Sequence, residues 1–212
     1  MGQSKSLLPV GDEVMLQRVC RTIAPIAQPI VVVAAEEQEL PELSNQWLAA
    51  NWPRSCDATA VSPLETDQPV IRVARDPVEY RGPLAGLAVG IARLASEVEC
   101  VYASACDAPL LRPAFIRAMI SALGDADIAV PFDGRFHYPL SAVYRVSVLP
   151  QIEELLAADR LRPVFLFEKC RTREVSLDDL RRVDPELDSL CNTNTPEEYQ
   201  QALVRMAQEA AR

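Results

Sequence analysis

Histidine is almost missing from this chain: His137 is the only one among 212 residues. That excludes a zinc centre built on several imidazoles. Positive charge is also in deficit. Lys and Arg number 21 against 30 Asp and Glu, a formal net charge of -9. Nucleic acid and anionic membranes call for a basic face, so neither is expected as a partner. A small anionic ligand remains compatible, because a few local cations and a metal ion can hold phosphates on an acidic protein. The six cysteines (Cys20, Cys56, Cys100, Cys106, Cys170 and Cys191) contain no CxxC pair. Several lie among apolar residues, and they read as reduced thiols of a cytosolic enzyme. No apolar run reaches membrane-spanning length, and no signal-peptide pattern opens the chain. Repeats, low-complexity tracts and inter-domain linkers are lacking too. With 49% hydrophobic and 24% charged residues, the composition is that of an ordinary globular protein. One soluble, cytoplasmic domain over residues 1–212 is expected.

What is present alternates between two periods. Apolar residues at helical spacing (Met15, Val19, Ile23, Ile26) predict an amphipathic helix. The β-branched run from Ile30 to Ala34 predicts a buried parallel strand. A helix over Leu40–Asn51, an irregular stretch over 52–68 and a short strand over Val70–Val73 follow. Gly82-Pro83 then opens a helix to about Ser96, with Leu84, Leu87, Ile91 and Leu94 on one face. Further on, strands are predicted at Val101–Ala105, Asp127–Pro131, Tyr138–Tyr144 and Arg173–Leu177. Helices are predicted at Pro113–Leu123, Leu149–Ala158 and from Pro196 to about Gln208. Thr195, Pro196 and Glu198 form a capping-box signature at the start of the last helix. This alternation predicts an α/β fold with a mostly parallel, doubly wound sheet.

The stretch ending at Asp107 organises the rest. Small and β-forming residues over Val101–Ala105 lead to one carboxylate, and Pro109 stops regular structure two residues later. A strand so placed presents Asp107 to the crevice outside the carboxyl ends of the sheet, where ligands of open α/β folds bind. An Asp ahead of a Pro is also an ordinary turn-former.

Four stretches occur in one order: Gly2-Gln3-Ser4-Lys5-Ser6-Leu7-Leu8; Arg75-Asp76 with Gly82-Pro83-Leu84-Ala85-Gly86; Cys106-Asp107-Ala108-Pro109-Leu110; and Asn192-Thr193-Asn194-Thr195-Pro196-Glu197-Glu198. Together they resemble the molybdenum cofactor guanylyltransferase family, which makes the guanine dinucleotide form of molybdopterin from GTP. The resemblance covers essentially the whole chain. It implies a Rossmann-like nucleotidyltransferase sheet, GTP and molybdopterin as substrates, and Mg²⁺ as cofactor. Protein partners would be molybdopterin-synthesis enzymes or molybdoenzymes.

The resemblance also implies residue roles. Asp107 would hold the metal and take part in nucleotide binding and catalysis. Lys5 would touch the triphosphate, Asp76 the guanosine end, and Gly82 would let the backbone approach the nucleotide. Asn192 and Asn194 would face the acceptor or the metal, with Asn194 counted as catalytic, and Arg162 would meet the pterin phosphate. Bland readings stand beside these: a surface lysine, an Asp76 paired with Arg75 or Arg81, turn-forming asparagines and a surface arginine. His137 is given no catalytic role, since an anionic phosphate needs no base.

Two departures bear on the resemblance. Ala34-Ala35 stand where relatives can place an Asn, which shifts base recognition toward backbone groups or Asp76. The family's opening strand and Gly-rich loop lack a counterpart before Met1-Gly2. That strand runs centrally, between those expected at Ile30–Ala34 and Val101–Ala105. Its absence would leave a gap one strand wide or make the two neighbours close up, and on the order of 10–20 upstream residues are expected in the natural protein. Related chemistries remain open: CTP with molybdopterin, a nucleotide with a phosphosugar, or a non-catalytic nucleotide-binding descendant.

Overall fold

The apolar runs find their partners across a split α/β sheet in the computed structural model, which describes residues 4–52, 70–76 and 81–210. After a single 3-10 turn at Lys5–Leu7 come a short hairpin of β1 (Pro9–Val10) and β2 (Glu13–Val14), then α1 (Met15–Ile23), β3 (Ile30–Ala35), α2 (Asn45–Ala50) and β4 (Ile71–Asp76). Then follow α3 (Pro83–Leu94), β5 (Cys100–Ser104), α4 (Pro113–Leu123), β6 (Ile128–Phe132), β7 (Ser141–Arg145) and α5 (Leu149–Ala157). The chain continues with α6 (Val164–Lys169), β8 (Thr172–Ser176), α7 (Leu177–Leu180) and α8 (Pro196–Ala210). Gly2 and Gln3 of the opening motif, Cys56, and most of the stretch expected to be irregular lie outside the described residues.

Parallel pairing joins β3 to β4, in register from Ile30↔Ile71 to Ala35↔Asp76. The other sheet has the order β5-β7-β6-β8. β6 and β8 are parallel, whereas β7 runs antiparallel to both β5 and β6. The mostly parallel reading therefore holds with β7 as its exception. Alternation along β6 explains the layering. Ile128 and Val130 pack with Leu84, Leu87 and Ile91 of α3 and with Ile152 and Leu155 of α5. Ala129 between them packs with Val19 of α1 and with Phe115, Ile116 and Met119 of α4. Neighbouring side chains point to opposite faces of a strand, so both faces carry helices and the strand must be apolar throughout.

Local signals set the helix ends. Gly82 precedes α3 with φ +79°, a conformation open to glycine, and Pro83 fills the first helical turn. At α8, Glu198 N donates to Thr195 Oγ1 (3.1 Å), while the Glu198 carboxylate accepts from the amides of Asn194 (2.7 Å) and Thr195 (2.9 Å). That is the capping box foreseen from the sequence. Helix α2 is shorter than expected, because Ser44 accepts a hydrogen bond from Trp47 N and starts it at Asn45. The strand expected from Tyr138 begins only at Ser141, since Ser141 N closes a turn onto Tyr138 O at 3.1 Å. Helix α6 had no expectation, its one and a half turns being too short for a period to show. Among the described residues no helix is long and apolar enough to cross a membrane.

β3 and β5 do not pair with each other: each is an edge of its own sheet. Between them lies a cavity of about 830 Å³, lined by Val31–Ala35 of β3, Val101–Ser104 of β5, and residues of α1 and α3. Of the two outcomes expected without a strand between them, the gap is the one observed.

Candidate active site

The cavity opens at the carboxyl ends of β3, β4 and β5, where Gln38, Asp76, Gly82 and Asp107 line it. Asp107 follows β5 by three residues and is 8% exposed. Its backbone carbonyl accepts from Thr193 N at 2.9 Å and Thr193 Oγ1 at 3.3 Å, so the last loop is laced onto the strand end. The carboxylate Oδ2 accepts from Lys5 Nζ at 3.1 Å, and the same ammonium donates to Asn194 Oδ1 at 2.7 Å. Lys5, Asp107 and Asn194 thus meet at one point, although 102 and 189 residues separate the lysine from its two partners.

Other expected residues are distributed around this point. Asp76 ends β4 and lines the same mouth. Arg75 donates to the carbonyls of Ala35 (2.7 Å) and Gln38 (2.8 Å), and Arg81 to Leu156 O (2.9 Å). Those contacts tie Arg75 and Arg81 to the backbone. Gly82 lines the mouth, and a Cβ added there would stand 3.9 Å from Leu161 O. Arg162, next in the chain, is exposed and does not line the cavity. Asn192 is exposed too, beside the buried Thr193, and is likewise outside the cavity lining. The structure therefore joins Lys5, Asp107 and Asn194 by hydrogen bonds, sets Asp76 and Gly82 with Asp107 in the cavity lining, and leaves Arg162 and Asn192 outside both groups.

Several residues at this end carried no sequence signal. Gln38 receives Ala35 N on Oε1 at 3.3 Å and points Nε2 at Ser6 Oγ (3.4 Å) and Ser4 Oγ (3.5 Å), joining the first turn to the end of β3. Arg18 Nε donates to Pro109 O at 2.6 Å, bracing the turn after Asp107 from α1. The last loop is held from behind. Asp184, fully buried, accepts from the amides of Asp188 (3.1 Å) and Ser189 (2.8 Å) and faces Arg112 Nε at 3.2 Å. Asp188 bridges Arg112 (2.7 Å) and Arg205 (2.6 Å). Each is one side chain within a polar stretch, where no period or motif marks it.

Burial around the cavity argues against one chemistry. Burial, with the Asp107 carboxylate next in weight, pushes the Cys106 thiol up to about 11. Burial likewise pushes Cys20 up to about 12. Neutral thiols are poor nucleophiles, so neither cysteine lining this cavity serves as one at neutral pH. All five described cysteines are free.

No cluster of three or more His, Cys, Asp or Glu side chains suited to a metal occurs among the described residues. One carboxylate and a nearby amide oxygen are nevertheless what Mg²⁺ commonly takes from a protein when phosphates and water complete its octahedron. The hard oxygens of Asp107 and Asn194 fit that pattern; a thiophilic metal would want the opposite donors.

Comparison with known proteins accords with this geometry. Residues 1–173 match the family described as "MobA-like NTP transferase domain". A molybdenum cofactor guanylyltransferase of Desulfosudis oleivorans is 37% identical over 131 residues, 61% of this chain and 64% of that protein, so the match takes in just under two thirds of the relative's length. A protein of Pelotomaculum thermopropionicum named "Probable molybdenum cofactor guanylyltransferase" is 28% identical over 96% of this chain and 86% of its own. In fold, the crystal structure of molybdopterin-guanine dinucleotide biosynthesis protein A from Archaeoglobus fulgidus superposes with a TM-score of 0.71 at 18% identity, covering 98% of this chain and 92% of that one. The chain therefore belongs to the family of MobA-like NTP transferase domains, a family of nucleotidyltransferases.

Proposed function

We propose that the chain transfers GMP from GTP to the terminal phosphate of molybdopterin and releases pyrophosphate. The observation that carries this reading is the convergence of Lys5, Asp107 and Asn194 at the open end of the β3–β5 cavity. Similarity to proteins named molybdenum cofactor guanylyltransferases supports the choice of acceptor and base.

In this reaction an oxygen of the acceptor phosphate bonds to the α-phosphorus of GTP. The bond from that phosphorus to the bridging oxygen breaks, and pyrophosphate carries the electron pair away. The attacking oxygen is already anionic, so the protein has to neutralise charge and align two anions. Lys5 presents a point charge for the triphosphate, and Asp107 holds that ammonium in place at 3.1 Å. Asp107 and Asn194 would hold Mg²⁺ together with phosphate oxygens. When bound, the cation supplies counter-charge to the leaving pyrophosphate. Asp76, across the mouth, can accept the N1 and N2 protons of guanine, an edge that adenine does not offer. Ala34 and Ala35 at the end of β3 offer no polar side chain of their own for that role. Thr193, through its two bonds to Asp107 O, sets the separation between the carboxylate and Asn194.

The direct test is incubation with GTP, Mg²⁺ and molybdopterin, with detection of the guanine dinucleotide by mass. Parallel reactions with CTP and ATP measure base choice. Product with CTP alone would replace the guanylyl reading by a cytidylyl one. Absence of product with every nucleotide, despite binding, would remove the transferase reading.

A further inference from the structure

The proposed reaction needs a seat for its acceptor as well as one for its nucleotide. The cavity mouth lies on the β3 side of Asp107. With the nucleotide there, the side above β7 and β6 is left for the acceptor, since an in-line displacement brings the incoming oxygen opposite the leaving group. Strand direction decides what stands on that side. β7 is antiparallel to both β5 and β6, so β5 and β6 run the same way and the chain after each leaves the same edge of the sheet. Ala105 N donates to Leu140 O at 3.1 Å, which ties the end of β5 to the return of the β6–β7 connection. The tip of that connection, residues 133–138, therefore rises beyond the edge from which Asp107 projects. With β7 between β5 and β6, strand spacings of about 4.8 Å offset the tip from Asp107 by about 10 Å along the sheet.

This tip is tied down, yet it exposes an aromatic ring. Asp133 Oδ1 accepts from Arg135 N (2.8 Å) and Phe136 N (2.6 Å), and Asp133 N donates to Phe136 O (3.2 Å). His137 is fully engaged: it stacks on Phe132 with centroids 4.6 Å apart, tilts against Phe167 at 4.8 Å and sets Nε2 2.7 Å from Glu174 Oε1. Phe136 lacks such cover. At 57% exposure it is the most exposed large hydrophobic side chain among the described residues. The Arg135 guanidinium stands over one face of the ring, 4.8 Å from its centroid, and holds it by a cation–π contact. Tyr138 joins the tip to the last loop. Its phenol donates to Asp133 Oδ2 (3.4 Å) and is pushed up by burial first and Asp133 next, with Cys191 near enough to add to the effect. Cys191 directly precedes Asn192, so the tip stands beside the loop that brings Asn194 to Lys5.

We propose that this tip seats the ring system of the acceptor, with Phe136 as its stacking face and Arg135 as the cation that complements its negative charge. The identity of the acceptor rests on the proposed transfer; the tip adds where its ring lies and what selects it. A flat, fused-ring ligand with a terminal phosphate spans the offset, so its ring can stack at Phe136 while its phosphate reaches the end of β5. Stacking needs only a π-face, and an aromatic held on a pre-ordered loop supplies one at little entropic cost. Contact with the ligand also removes from water an apolar ring that the free protein leaves exposed.

Pterin fluorescence tests this apart from turnover. Neopterin monophosphate is titrated against the chain and its Phe136→Ala, Phe136→Tyr and Arg135→Gln variants, without GTP. Phe136→Ala should weaken binding roughly tenfold, as loss of one stacking partner does, and Phe136→Tyr should restore it. Arg135→Gln should weaken binding of neopterin monophosphate more than that of neopterin. In the transfer assay, Phe136→Ala should raise the KM for molybdopterin by a similar factor while GTP affinity and Tm stay unchanged. Equal probe affinity in Phe136→Ala and the unaltered chain, or an unchanged KM for molybdopterin, would overturn the proposal. So would absence of probe binding by the unaltered chain, or a parallel loss of GTP affinity, which would make Phe136 a general support of the site. The two readings fail separately. Dinucleotide formation indifferent to Phe136 removes the seat and keeps the transfer, whereas Phe136-dependent probe binding without dinucleotide formation keeps the seat and removes the transfer.

Discussion

Replacing Asp107 by Ala should separate the proposed transfer from folding, because its two kinds of contact are on different atoms. The bonds that hold the last loop go from Thr193 to the Asp107 carbonyl, and a main-chain oxygen survives the substitution. What is lost is the carboxylate, whose structural partner is Lys5, a side chain 35% exposed. An ion pair with one solvated partner is worth up to about 1 kcal/mol. In a domain of this size that corresponds to a fall of about 2–4 °C in Tm. Transfer should suffer far more. The carboxylate orients Lys5 and, in the proposed reaction, would hold the cation, so its removal would leave the Lys5 charge less well placed and the cation without its anionic ligand. A loss of about 4 kcal/mol at the transition state is a rate drop of roughly a thousandfold. The assay is single-turnover dinucleotide formation at saturating GTP, beside a thermal melt of the same protein. A variant that melts normally and turns over at near-wild-type rate would refute the reasoning and reduce Asp107 to a turn residue. A collapse of the melt would refute its other half, that the carbonyl alone anchors the loop.

Other outcomes follow from neighbouring contacts. Asp76→Ala should weaken GTP binding by roughly 1.5–3 kcal/mol while leaving ATP binding nearly unchanged; calorimetry with both nucleotides checks this, and equal losses would mark a structural role. Asn194→Ala should lower kcat more than GTP affinity, since Glu198 still caps α8 through the Asn194 amide; an unchanged rate would leave the loop as a cap only. Asp184→Ala should cost about 2–3 kcal/mol in a denaturant melt, because two amides and part of the Arg112 guanidinium lose a buried partner. Stability should also depend on pH at the alkaline end. The folded chain keeps the Cys106 proton to about 11 and the Cys20 proton to about 12, against 9.0 for a free thiol. Their contribution is therefore complete below pH 9 and declines as pH rises from 9 toward 12. Replacing both by Ala should flatten that decline in urea melts at pH 8 to 11.

Much of the fold was readable because its causes are local. The β-branched run of β3, the Gly82-Pro83 start of α3, and the Thr195–Glu198 cap each act within one turn or one strand, so the residues alone specify them. Asp107 was readable for the same reason: a strand composition, a carboxylate and a proline lie within nine residues. The antiparallel course of β7 was not, since pairing direction is decided by where β5 and β6 already lie and not by the residues of β7. Gln38, Arg18 and Asp184 stayed hidden because each meets a partner remote in sequence: the Ser4 and Ser6 hydroxyls, the Pro109 carbonyl and the Arg112 guanidinium. So did the short α6, which never completes a period.

The sequence by itself determined an acidic α/β chain, one carboxylate at a strand end, and the membership that its ordered motifs carry. Only the tertiary structure decided that Lys5 reaches both Asp107 and Asn194, and that Arg162 and Asn192 remain at the surface. It alone showed that β3 and β5 face each other across an unpaired slot. Composition and period act over a few residues, whereas the meeting of three segments, or the failure of two strands to pair, depends on contacts between residues far apart in the chain.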